Sequence, residues 1–119
     1  MSLLVNVYVR DENGQMSFIE PEHPSQELVG FESYRQVLYG SHAAISLGLT
    51  LLPSLATGDV YAQGDDLAHL RSDAERALSN IELFESEAGV EAERLRPRFE
   101  NILRAVGMAE GVGGGGVIW

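Results

Sequence analysis

The stretch GVGGGGVIW, residues 111–119, decides how the rest of the chain is read. Residues 111–116 spell G-x-G-x-x-G, the spacing that cradles a pyrophosphate in dinucleotide-binding folds. That spacing works only where a strand delivers the chain to the glycines and a helix starts directly after them, turning its N-terminal amides toward the phosphates. Here a helical pattern leads into the glycines and only Val117, Ile118 and Trp119 follow. Three residues cannot build the helix, and the sequence supplies no acidic ribose partner about 20 residues further on. The run is therefore read as structure. Gly107 or Gly111 offers the positive-φ residue that ends a helix, and Gly113 to Gly116 form a hinge. Val117, Ile118 and Trp119 are strand formers where a polar tail would be expected. Leaving an Ile in water forfeits about 1.5–3 kcal/mol. The tail is thus expected to return to the body, as a short edge strand on an N-terminal sheet or by docking Trp119 in a groove, with docking on a partner as the alternative.

Upstream of the glycines, Leu95, Phe99, Ile102, Val106 and Ala109 form an apolar stripe, which places a helix over 96–109. Pro97 either opens that helix or marks a kink after a turn over 91–95. A longer stripe of Leu67, Leu70, Ala74, Ala77, Leu78, Ile81 and Phe84 predicts a helix over 66–87, with Asp65, His69, Ser72, Asp73, Arg76 and Asn80 on its polar face. At the other end of the chain, Val5, Val7 and Val9 alternate and DENG supplies a turn, so residues 3–10 and 15–20 read as a hairpin. Leu28, Phe31, Tyr34, Val37 and Leu38 recur at helical spacing over 26–39, stopped by Gly40. A short buried helix is expected near 41–47, a turn through LLPSLA, and a brief strand around Val60 and Tyr61. Together these predict a single α+β domain over 1–119: a small antiparallel sheet, built from the N-terminal hairpin and the C-terminal strand, packed against an antiparallel helix pair and a shorter helix.

The 119 residues suffice for one core without staples, and the absence of Cys excludes disulfides, zinc–thiolate sites and thiol nucleophiles. Eighteen acidic residues against eight Arg, with no Lys, give a net charge of −10. Such a field repels phosphate backbones, so no nucleic-acid partner is expected, while basic protein surfaces are attracted. The most apolar window, Ala43 to Leu55, is broken by Gly48 and Pro53 and is shorter than the roughly 20 residues a bilayer span needs, so no membrane partner is expected. The N-terminal residues lack the pattern of a signal peptide, which predicts a cytoplasmic protein. Homo-oligomerisation stays open.

Three constellations bear on chemistry. Asp65, His69 and Asp73 lie at i, i+4, i+8, a spacing that offers metal ligands but reads more economically as a solvated face with Asp73 paired to Arg71 or Arg76. ERLRPRF, residues 93–99, is the one basic cluster and is interleaved with Glu. ESYRQVLYGSH, residues 32–42, gathers Tyr34, Arg35, Tyr39, Ser41 and His42 without a nucleophile elbow or a nucleophile–base spacing. Its economical reading is Tyr34 and Tyr39 at the core edge, Ser41 as a helix cap and Arg35 holding a carboxylate. Its functional reading is a contact patch of residue types that anchor interfaces. No catalytic residue, cofactor or metal is expected, and the candidate partner contacts are Tyr34, Arg35, Tyr39, His42 and Trp119.

From LGLTLLPSLATGDVYAQGDDLAHL through the helix pair to GVGGGGVIW, the chain over residues 31–119 resembles small acidic bacterial proteins that are uncharacterised or classed as immunity proteins of polymorphic toxin systems. The resemblance implies a stoichiometric binder that occludes a toxin, and an acidic surface suits a basic target through electrostatic steering. The competing expectation is a small enzyme or ligand-binding domain with a pocket near Tyr34, Arg35 and His42; a third is a self-associating structural protein.

Overall fold

The computed structural model describes Met1–Trp119. The β-branched alternation at the N-terminus forms strand β1 (Ser2–Arg10), which a tight turn joins to β2 (Met16–Ile19). Asp11 makes that turn: its carboxylate accepts from the Asn13 and Gln15 amides, and Gly14 supplies a positive φ. β3 (Leu28–Phe31) runs along the same edge of β1 as β2 but beside its first residues, with a register shift between Leu3 and Leu4. On the opposite edge lies β5 (Gly115–Ile118), and beyond it β4 (Val60–Gln63). All pairings are antiparallel, in the order β2-β1-β5-β4, with β3 paired to β1.

Helices α1 (His42–Ser46), α2 (Asp65–Ser79), α3 (Ile81–Ala88) and α4 (Ala92–Val112) complete the α+β fold. Arg71, early in α2, bridges to Glu110, late in α4, whereas Phe84 on α3 meets Phe99 early in α4 at 5.5 Å. The helices therefore run in opposite directions, as the two stripes imply. Pro97 lies inside α4, and it is tolerated because the turn that loses its hydrogen bond faces water. Ser41 caps α1, accepting from the Ala44 amide at 3.3 Å. One core of 27 buried residues joins the helices to the sheet face made by Leu3, Val5, Val7, Val29, Val60, Ala62 and Ile118.

Four expectations are corrected. Residues 26–39 are not one helix but a 3-10 turn (Pro24–Glu27), strand β3 and a π-type turn (Arg35–Tyr39). Gly30 sits at φ 135°, outside helical space, and the Tyr34 ring lies where a Cβ would stand. The helix over 66–87 is two helices, broken at Asn80, whose side-chain amide donates to the Arg76 carbonyl at 2.9 Å and competes with the helical ladder. Asp73 is not on the solvated face. It is buried, and it accepts from the amides of Thr50, Leu51 and Leu52 at 2.9, 2.7 and 3.0 Å, tying α2 to the turn Leu52–Ala56 with charge-assisted bonds.

The fourth correction concerns the tail. β5 is an interior strand, not an edge, and all four of its residues are buried. Its glycines are what admit it. A Cβ on Gly114 would collide with the Tyr8 carbonyl, and one on Gly115 would stand 2.5 Å from the Tyr8 hydroxyl oxygen and 2.8 Å from the Ala62 carbonyl oxygen. Tyr8, paired with Gly115 across the ladder, covers the missing side chain with its ring and donates to the Gln63 side chain at 3.1 Å on the far strand. Replacing Gly115 with Ala should therefore cost roughly 1–3 kcal/mol, the range for overpacking a tight site. Urea denaturation checks this: the midpoint should fall for Gly115→Ala and hold or rise for Gly111→Ala, inside α4, where a Cβ meets nothing within 4 Å and alanine favours the helix.

Candidate functional site

Two buried apolar residues stand outside the 27-residue core: Tyr8 and Val117. Both point to the other face of the sheet, because strand side chains alternate and their neighbours Val5, Val7 and Ile118 point to the core. Register assigns this second face. Phe18 lies opposite Tyr8, Gly115 opposite Tyr8 on the other side, and Gln63 beyond it; Asn6, Val117 and Tyr61 form the next row. Leu4 pairs with Trp119 by exchanging both backbone hydrogen bonds at 2.9 and 3.0 Å, which places these two residues in a third row.

Large apolar side chains on this face remain accessible. Phe18, Tyr61 and Trp119 are 47%, 50% and 39% exposed. Their rings touch: the Trp119 centroid is 5.5 Å from Phe18 and 6.5 Å from Tyr61, the latter edge to face. The indole is also oriented by a polar contact, its Nε1–H donating to Asn6 Oδ1 at 2.8 Å, while the Asn6 amide donates in turn to Glu27. Arg10 lies over the Tyr8 ring, 5.4 Å from its centroid. The result is an aromatic surface of fixed geometry, since Val117 and Tyr8 beneath it are fully packed.

Of the candidate contacts read from sequence, Trp119 belongs to this face and the other four do not. Tyr39 is buried; its hydroxyl donates to the Val29 carbonyl, its ring meets Phe99 at 5.7 Å, and burial pushes its phenol far above the ordinary tyrosine range. Tyr34 is buried against Phe31 and Gly30. As partner contacts these two are corrected, because neither presents surface without unfolding its surroundings. Arg35 is a structural clamp: it donates to Asp59 at 2.8 Å, to Glu32, and to the carbonyls of Leu55 and Gly58 at 3.1 and 2.6 Å. The Asp59 bond, reinforced by Glu32, raises its pKa above the usual arginine value. His42 is exposed and lines a separate shallow groove with Ser46, Glu82, Leu83 and Glu87. Arg35 and His42 thus line two different grooves, Arg35 one with Ala56, Thr57 and Asp59.

The other concavities differ widely in size, and an open groove lined by Tyr8, Arg10, Gln63, Gly64, Gly113 and Gly114 holds about 440 Å³. The crevice beneath the gap between β2 and β3, lined by Asn6, Glu27, Arg104 and Met108, encloses about 20 Å³, room for one water. Asp65, His69 and Asp73 do not converge, since Asp73 is committed to the turn amides while His69 is exposed beside Asp66.

Phe18 and Tyr61 were not singled out from sequence. The signal was present as parity: with Val5 and Val7 directed inward, the hairpin register places Phe18 with Tyr8 on the outward face. No helix of the protein is long and apolar enough to cross a membrane. No protein-family model, curated protein or solved structure matches the chain.

The Asn6 contact generates a test. Trp119 is the only indole, so fluorescence reports this face directly. Asn6→Ala should free the ring, red-shift its emission and raise its quenching by acrylamide, at a stability cost of about 1 kcal/mol for one hydrogen bond. Unchanged emission and quenching would show that packing alone holds the indole.

Proposed function

We propose that the protein is a protein-binding module that occludes a basic partner stoichiometrically, in the manner of a bacterial toxin-neutralising immunity protein. The observation that carries this reading is the uncovered sheet face with Phe18, Tyr61 and Trp119 half exposed and Trp119 in contact with both other rings. Trp and Tyr held rigidly on a surface are the residue types that dominate binding energy, because they bring large contact area at low entropic cost. Charge supports a cationic partner: residues 1–66, which include four of the five strands, carry nine Asp and Glu against two Arg. One of those two, Arg35, is neutralised by Glu32 and Asp59. The immunity-type assignment within this class rests on the resemblance of residues 31–119 described above, and the same charge disfavours nucleic acid as the partner.

Co-expression with the product of the adjacent reading frame, followed by calorimetry, tests the proposal. The expected result is a 1:1 complex whose affinity falls with added salt and drops at least about tenfold in Tyr61→Ala or Phe18→Ala, with the thermal midpoint nearly unchanged because both rings are half exposed. Affinity indifferent to both substitutions and to salt would reject this face as the binding surface.

A further inference from the structure

β4 ends the sheet with one edge unpaired. The orientation of its backbone groups follows from the ladder. Leu4 and Trp119 exchange both hydrogen bonds, so alternate residues 119, 117 and 115 of the C-terminal segment turn their amides and carbonyls to β1, and Ile118 and Gly116 turn theirs to β4. Val60 and Ala62, in register with Ile118 and Gly116, bond inward. Tyr61 and Gln63 therefore direct their N–H and C=O groups outward, and none of those four groups meets a hydrogen-bond partner within the chain.

Edges of this kind are ordinarily guarded by Lys, Pro, a bulge or a covering element. The sequence DVYAQGDD, residues 59–66, has neither Lys nor Pro. Its charges are all acidic and sit at the two ends of the strand: Asp59, already ion-paired with Arg35, at one, and Asp65 and Asp66 at the other, with Asp59 and Asp66 about half exposed. That arrangement selects the occupant. A second copy pairing antiparallel across this edge would set the Arg35-paired Asp59 against Asp65 and Asp66 of its mate at both ends, and so would bring those carboxylates no unpaired cation. An extended segment bearing Arg or Lys meets opposite charge free of any Arg partner at the Asp65–Asp66 end. Its alternate side chains on the outer face would also lie beside the half-exposed ring of Tyr61, where a guanidinium can stack, as Arg10 does over Tyr8 on the same face.

We infer that the outer edge of β4 is a docking site for an extended, Arg- or Lys-bearing segment of a partner protein, which joins the sheet as a further strand. The inference deepens the proposed function and rests on its basic-partner reading, while its test needs only the isolated protein. Main-chain bonds to Tyr61 and Gln63 supply strand addition, and the acidic ends with the Tyr61 ring supply the preference for a cationic strand.

The experiment titrates the ¹⁵N-labelled protein with a capped Arg-Val-Arg-Val-Arg-Val peptide, its Glu-for-Arg counterpart, and a fully N-methylated form of the basic peptide. The basic peptide should shift the Tyr61 and Gln63 amides and slow their hydrogen exchange, an effect that weakens with salt. The acidic peptide should do neither. The N-methylated peptide keeps the charge but has no main-chain donors, and it should not bind the edge. Tyr61→Pro, which removes an outward amide while leaving the bonds of Val60 and Ala62 to β5, should weaken binding about tenfold, the loss of one net hydrogen bond. Tyr61→Ala keeps that position's amide and should retain protection at Gln63. Equal binding of the N-methylated or acidic peptide, or perturbations away from β4, would overturn the inference even if Tyr61→Pro does not fold. A partner complex that loses affinity on Phe18→Ala would still leave the binding face standing in that case, so the two failures are distinguishable.

Discussion

The insertion of β5 between β1 and β4 is the constraint on which the rest depends. Without it β4 has no partner and the sheet is reduced to β1 with β2 and β3. Insertion requires glycine for a steric reason rather than for flexibility: β1 passes so close to Gly114 and Gly115 that side chains there would collide with Tyr8. Tyr8 then covers the bare backbone and reaches Gln63, linking three strands through one aromatic side chain. The pairing of Leu4 with Trp119 joins the two ends of the sequence, so every intervening element lies inside one long loop. Non-local pairing of this kind, unlike the local β1–β2 hairpin, must meet a large loop-closure entropy before any contact offsets it.

The same constraint creates the two-faced character of the sheet. All the helices contribute to the single core on one face, whereas the other holds Tyr8 and Val117 beneath the three touching rings. The tail that completes the fold therefore also supplies the central ring of the exposed surface, so stability and the proposed binding face share Trp119. The acidic excess in the sheet-bearing half, with Arg35 tied into its own clamp, is the electrostatic support for the cationic partner proposed above.

Much of this was legible in the residues. The hairpin, the α+β class and the helix ending in the glycines follow from period-2 and period-3.6 patterns that are long and regular. The failures have identifiable causes. In 26–39 the helical spacing of apolar residues was real, but Phe31 and Val37 are exposed and Gly30 takes a backbone conformation no helix contains. Asp73 was read by its charge as solvent-facing, although it lies three residues after Leu70 and four before Ala77, on the apolar stripe itself; the amides that stabilise it come from a turn more than twenty residues away. Four glycines in a row look like a linker because a glycine strand has no side-chain pattern, and only the facing Tyr8 explains it. The site was half visible for the same reason: Trp119 stood out as a lone indole, while Phe18 and Tyr61 become its neighbours only once β5 is placed between β1 and β4.

Native-state amide hydrogen exchange tests the central claim most directly. An interior β5 predicts that the amides of Gly116 and Ile118, bonded to β4, and of Val117, bonded to β1, exchange as slowly as those of Phe99 and Ile102 in the core of α4, through global opening. Rapid exchange across residues 115–118 while α4 stays protected would mean that the glycine segment is a frayed tail, and the sheet described here would not stand.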